Sequence, residues 1–168
     1  IQKFEEKLSK KVNSKYSVVF NSATSALHSA CIALGLKKND WLWTSANSFV
    51  ASANCGLYCG AKIDFLDIEL ETFNIDLKKL EIKLQKAKKK LLPKIIVPVV
   101  FAGQSYDKDH LIILSKKYKF KILEDASHAL GAKYKNRSVG SCRDIITVFS
   151  FHPVKMITTG EGGSAHTS

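Results

Sequence analysis

Lys155 lies in the run Ser150-Phe151-His152-Pro153-Val154-Lys155-Met156-Ile157-Thr158-Thr159-Gly160-Glu161-Gly162-Gly163, which follows Glu124-Asp125-Ala126-Ser127-His128 in the chain. A lysine amine adds to an aldehyde as an imine, and a second amine can displace it. A carboxylate at the end of a strand can pair with a protonated ring nitrogen and so turn the ring into an electron sink. The two groups together suit one aldehyde-bearing aromatic ring. Each also has a plainer reading. Lys155 alone is one more surface lysine among many, and Asp125 suits a helix N-cap, a role compatible with the first. A third feature is Asn21-Ser22-Ala23-Thr24-Ser25-Ala26, which opens a helix straight after a strand. Free backbone N–H groups and a hydroxyl there make an anion site; the plainer reading of Thr24 is a capping hydroxyl.

The elements that must position these groups alternate short apolar strands with helical segments, the pattern of a layered α/β fold. Phe4, Leu8 and Val12 share one face of a first helix. Tyr16–Phe20 reads as a strand, and Asn21 or Ser22 caps a helix running to about Leu34 and stopped by Gly35. Strands follow at Trp41–Thr44 and Lys62–Leu66, with a helix of small residues, Phe49 to Cys59, between them. A long helix is expected from Asp76 to about Lys90, then a strand Ile95–Val100 with Pro98 near its end. Ser105 or Asp107 opens the next helix, to Tyr118, and strands are expected at Phe120–Leu123 and Asp144–Phe149. Lys133 to Ser141 reads as a hairpin or surface loop. Gly160-Glu161-Gly162-Gly163 lacks the spacing of a dinucleotide fingerprint and reads as loop.

A chain of 168 residues can bury a core and is most simply one domain, residues 1–168. Its net charge is +11, from 26 Lys+Arg against 15 Asp+Glu. That charge attracts anions such as a cofactor phosphate or a nucleotide diphosphate. The plainer reading, a Lys-rich solvated surface, is preferred, because the densest run, Lys83 to Lys90, lies at a helix end where cations oppose the dipole. It lacks interleaved aromatics, so no nucleic-acid partner is expected. Cys31, Cys55, Cys59 and Cys142 have no companion set with metal spacing; they read as small buried hydrophobes in a reducing, cytoplasmic compartment, with no metal. No stretch is long and apolar enough to span a membrane, and the start is not a secretory signal. Residue 1 is Ile and the only Met is Met156, so the chain is expected to be a piece of a longer protein.

The segment 120–163 and the run Asn21–His28 resemble, in the same order, the DegT/DnrJ/StrS family of nucleotide-sugar aminotransferases. The resemblance implies a three-layer αβα large domain of the pyridoxal phosphate-dependent transferase fold type I, aspartate-aminotransferase-like, with a C-terminal small domain beyond this chain. It implies pyridoxal 5'-phosphate as cofactor, Lys155 as the lysine that carries it, and Asp125 as the partner of its ring nitrogen. It places the cofactor phosphate at Ala23, Thr24 and Ser150, an aromatic ring at Phe49 over the cofactor, and a donor to its ring hydroxyl at His128. Ala23 stands where the family usually has glycine, so the turn there must avoid positive φ. The family's frequent histidine before Phe101 is replaced by Val99-Val100.

The implied reaction moves an amino group from an amino acid, glutamate in the usual case, to a keto sugar attached to a nucleotide. The wording of 124–132 and 151–155 is similar to the pseudaminic-acid branch, which aminates a UDP-linked 4-keto-6-deoxy-N-acetylhexosamine. A homodimer is implied, with active sites at its interface. Two further readings stay open: a sugar dehydratase of the same fold, whose relatives carry histidine at the lysine, and a catalytically incomplete fragment that only dimerises or binds the cofactor.

Overall fold

Successive side chains of a strand point to opposite faces, so the near-continuous buried runs of the central strands feed two different helical layers. Residues 1–168 are described by a computed structural model. The helices are α1 (Gln2–Val12), α2 (Ala23–Ala33), α3 (Ala51–Tyr58), α4 (Leu77–Lys86) and α5 (Lys108–Tyr118). The strands are β1 (Tyr16–Phe20), β2 (Trp41–Ser45), β3 (Lys62–Leu66), β4 (Ile95–Val97), β5 (Lys121–Asp125), β6 (Lys133–Tyr134), β7 (Arg137–Ser138), β8 (Ile145–Ser150) and β9 (Gly163–Thr167). Seven strands form one sheet in the order β1-β9-β8-β5-β4-β2-β3. Strands β8, β5, β4, β2 and β3 run parallel, and β9 lies antiparallel between β1 and β8. Trp43, Ile96, Ile122, Ile145 and Phe149 pack with buried residues of α1, α4 and α5. Leu42, Ile95, Val97, Leu123 and Val148 pack with those of α2 and α3. The result is the expected three-layer αβα arrangement.

Helix boundaries follow their caps. Ser22 caps α2 by accepting from the Ser25 amide, Asp76 caps α4, and Asp107 caps α5. The fourth helix stops at Lys86 rather than near Lys90. Ala87 is extended, and Lys89–Leu91 form a separate 3-10 turn. Leu84 is the last buried residue of the helix, so the lysines beyond it have no apolar face to continue. Only Lys83 and Lys86 occupy the last turn, so the rest of the lysine run does not oppose the helix dipole as expected. Strand β4 ends at Val97 instead of Val100, since Pro98 has no N–H to continue the ladder. The hairpin of β6 and β7 turns at Lys135 and Asn136, both at positive φ.

Strand β9 is an element that the sequence does not mark: no strand is expected after Asp144–Phe149, and its first residue, Gly163, is expected in a loop. Its residues are small and polar, yet Ser164 and His166 are fully buried. Their polar atoms are satisfied locally: His166 Nε2 pairs with Ser164 Oγ at 2.8 Å and Nδ1 with Ser14 Oγ at 3.2 Å. Gly163 is a close-approach glycine, because a Cβ there would run into the backbone of Ser22 and Ala23. All four cysteines are free thiols, with Cys31 and Cys55 buried between α2 and α3. A hydrogen bond with Cys55, and then burial, hold the Cys31 thiol well above its usual range. No helix is long and apolar enough to cross a membrane.

Candidate active site

Parallel strands of an α/β sheet leave a crevice at their carboxyl ends, and ligands bind there. Asp125 is the last residue of β5 and Ser150 the last of β8. The N-terminus of α2 opens beside them. Ala23, Thr24, Phe49, Asp125, His128, Ser150 and Lys155 all line one cleft of about 310 Å³. That is the size of a small-ligand site.

At the α2 end, Ser22 Oγ receives the Ser25 amide at 3.1 Å, and Ser25 Oγ donates to Asn21 Oδ1 at 2.6 Å. Ser22, not Asn21, is therefore the cap. The first N–H groups of a helix have no intrahelical partner, and those of Ala23 and Thr24 open this one. Ala23 takes an ordinary right-handed helical backbone, so no glycine is required there. The close contact of Gly163 behind Ser22 and Ala23 ties this helix end to the sheet.

Asp125 is almost fully buried, and its carboxylate is held on both oxygens. Oδ1 accepts from the Ser127 amide at 3.1 Å and the Ser127 hydroxyl at 2.6 Å; Oδ2 accepts from the Ser52 hydroxyl at 2.6 Å. The helix-cap reading of Asp125 is corrected by this geometry. No helix follows it, and its bond to the amide two residues on makes an Asx turn instead. Three donors occupy three of roughly four acceptor sites of a carboxylate, leaving one for a further donor. The same strand presents Glu124 to the opposite face. There it meets Lys108 at 2.5 Å, Tyr106 at 2.8 Å and Thr147 at 3.0 Å, all buried.

Lys155 sits half-buried in the loop between β8 and β9, which folds on itself through Lys155 N–H to His152 O at 2.9 Å. His152 accepts weakly from the Val154 amide at 3.4 Å, in keeping with a turn-shaping role. His128 is half-buried; burial first, then the positive charge of Lys155, push its imidazole below its ordinary value, against the pull of Asp125. The imidazole therefore faces the cleft in its neutral form near pH 7. Phe49 is 73% exposed at the cleft wall.

Sequence reasoning missed Ser52, Ser127 and Glu161. Ser127 carried a signal, being two residues after an Asp in a turn-forming stretch. Ser52 carried none, since its contact spans the fold. Glu161 also lines the cleft, with Oε1 3.8 Å from His152 Nε2. A wider groove of about 480 Å³ lies between α4 and the strands β2 and β3. Its Lys79 and Lys83 are already paired with Asp67 and Asp64, and it gathers no comparable set of groups.

The donor set of the cleft fits a phosphorylated pyridine aldehyde: an amine, a buried carboxylate with one acceptor site open, a neutral imidazole, two hydroxyls and a free helix N-terminus. The fold is that of the pyridoxal phosphate-dependent transferases of fold type I. More particularly, the chain belongs to the DegT/DnrJ/EryC1/StrS aminotransferase family, whose sequence profile matches residues 1–168. It is 47% identical over 164 residues, 98% of this chain, to the UDP-4-amino-4,6-dideoxy-N-acetyl-beta-L-altrosamine transaminase of Campylobacter jejuni subsp. jejuni serotype O:23/36 (strain 81-176). It is 36% identical over 168 residues to the GDP-perosamine synthase of Caulobacter vibrioides. The chain covers 42% and 44% of those two proteins, less than half of each. Among solved structures, Helicobacter pylori PseC, an aminotransferase involved in the biosynthesis of pseudoaminic acid, superposes with a TM-score of 0.88 at 37% identity, over 99% of this chain and 43% of that one. The PLP-form of Spr1654 from Streptococcus pneumoniae gives 0.89 at 34% identity, over 99% of this chain and 45% of that one.

Proposed function

We propose that the chain is the cofactor-binding large domain of an aminotransferase that moves an amino group from an amino acid, glutamate in the expected case, to a nucleotide-linked keto sugar. The observation that carries this is the convergence of Lys155, Asp125, His128 and the open N-terminus of α2 on one cleft. Pyridoxal phosphate, when bound, supplies an electron sink that stabilises negative charge on the donor's Cα. Lys155 would hold the aldehyde carbon, and its free amine would take a proton from the donor's Cα and give it up again. Asp125 would accept from the ring nitrogen through its open site and favour a positive charge there. His128, with one ring N–H, would donate to the ring hydroxyl. The amides of Ala23 and Thr24, with the hydroxyls of Thr24 and Ser150, would hold the phosphate. Phe49 would cover one face of the ring.

The finer reading is a UDP-linked 4-keto-6-deoxy-N-acetylhexosamine as acceptor, in the making of a surface-glycan or flagellin sugar. The 47% identity to the Campylobacter jejuni transaminase supports it. A homodimer working in the cytoplasm completes the proposal. A lysine at 155, where dehydratase relatives carry histidine, favours transamination over dehydration. The test is incubation of the protein with the UDP-linked keto sugar, L-glutamate and pyridoxal phosphate. Equal amounts of 2-oxoglutarate and UDP-linked amino sugar are expected. Loss of water from the sugar, with no amine formed, would replace this reading by the dehydratase.

A further inference from the structure

Asp125 is anchored by a chain of hydroxyls that starts on another element. Ser48 Oγ donates to Ser52 Oγ at 2.6 Å, and Ser52 Oγ donates to Asp125 Oδ2 at 2.6 Å. Ser52 is fully buried on the first turn of α3, and Ser48 is half-buried just before that helix. The direction of the chain is fixed by chemistry. A carboxylate only accepts, so the single Ser52 hydrogen goes to Asp125, and the Ser52 oxygen is left to accept from Ser48. The terminal torsion of an aspartate is broad and roughly two-fold, so one anchor does not fix the carboxylate plane. Ser127 supplies an anchor on Oδ1 from Asp125's own turn; Ser52 supplies the other on Oδ2 from across the fold.

We propose that Ser52 is a positioning residue that sets the plane of the Asp125 carboxylate, with Ser48 orienting Ser52 in turn. The one open acceptor site of Asp125 is thereby aimed into the cleft. The segment from Ser48 to Ser52 also carries Phe49, so one short stretch controls the aromatic wall and the carboxylate's orientation together. The inference rests on the reading of Asp125 as partner of a cofactor ring nitrogen, and adds what makes that pairing geometrically reliable.

The test is titration of the unsubstituted chain, Ser52→Ala, Ser52→Thr and Ser48→Ala with pyridoxal phosphate. Binding is followed by protein fluorescence, and the visible absorbance of the bound cofactor is followed against pH. A hydrogen bond to a charged group matters enough that Ser52→Ala is expected to weaken binding by about tenfold, and to move the pH midpoint of the absorbance change. Ser52→Thr, which keeps the hydroxyl, restores both. Ser48→Ala, at a half-buried position that tolerates truncation, gives a smaller weakening in the same direction. Unchanged binding and pH profile in Ser52→Ala and Ser48→Ala, or a folded Ser52→Thr that fails to rescue, would overturn this inference alone. If the unsubstituted chain captures no pyridoxal phosphate, the proposed function falls and this inference with it.

Discussion

At the scale of the residue, identity decides less than neighbours do. Lys155 is one of 26 basic residues, and what sets it apart is the cleft it shares with a buried carboxylate and an imidazole held neutral. Asp125→Asn keeps the shape and one accepting oxygen for the Ser127 donors, but it removes the charge and puts an N–H donor where Ser52 now donates. It should leave capture of the cofactor by Lys155 possible but weakened, as in Ser52→Ala, while slowing amination by glutamate in a single turnover on the order of a hundredfold, the usual effect of losing one preorganised electrostatic group. An unchanged rate would reduce Asp125 to the anchor of an Asx turn. His128→Gln retains an N–H donor and should bind pyridoxal phosphate within about threefold of the parent, whereas His128→Leu loses a hydrogen bond worth roughly 1 kcal/mol and should bind correspondingly less well in the same titration.

At the scale of the element, the most informative piece is the strand β9, and it also marks where the sequence stops being legible. Strands such as Trp41–Ser45 and Lys62–Leu66 announce themselves through β-branched, aromatic and aliphatic residues bounded by turns. The run Gly163-Ser164-Ala165-His166-Thr167 has no such pattern, because its polar side chains are paired inside the protein and its glycine serves a contact rather than a turn. The cleft residues Lys155, Asp125, His128 and Thr24 are legible because they lie in continuous motifs. Ser52 is not, because its partner Asp125 is brought near only by the packing of α3 on the sheet. Gly163→Ala should force β9 away from Ser22 and Ala23, lowering the melting temperature and weakening binding of inorganic phosphate or pyridoxal phosphate together; a variant with parental melting and binding would contradict the close contact. His166 supplies a pH signature of the same strand. Burial lowers its pKa from 6.5 to about 4, and its ring partners are the hydroxyls of Ser14 and Ser164, with the Phe149 ring beside it. The fold favours the neutral ring, so its contribution is intact above pH 6.5 and is lost progressively as the pH falls towards 4, by roughly 3 kcal/mol in all. Denaturant unfolding across that window should show this loss in the parent and a flatter dependence in His166→Gln.

At the scale of the whole molecule, the sheet works as a partition. Strand β5 sends consecutive carboxylates to opposite layers: Glu124 to a buried network with Lys108, Tyr106 and Thr147, and Asp125 to the cleft. The first is structural and the second is open to a ligand, so the two should separate cleanly on mutation. Lys108→Met leaves Glu124 buried without its counter-charge and should destabilise the fold by roughly 3 kcal/mol in denaturant unfolding. Lys79→Met, which breaks a solvent-exposed pair with Asp67, should leave the unfolding midpoint where it was. The account as a whole turns on Lys155 as the residue that takes up the aldehyde. The most direct measurement is to add pyridoxal phosphate, reduce with borohydride, digest the protein and identify the labelled peptide by mass spectrometry. The account predicts a single label on Lys155, and a Lys155→Ala protein that keeps its fold but takes up none; a label on any other lysine, with Lys155 unmodified, would contradict it.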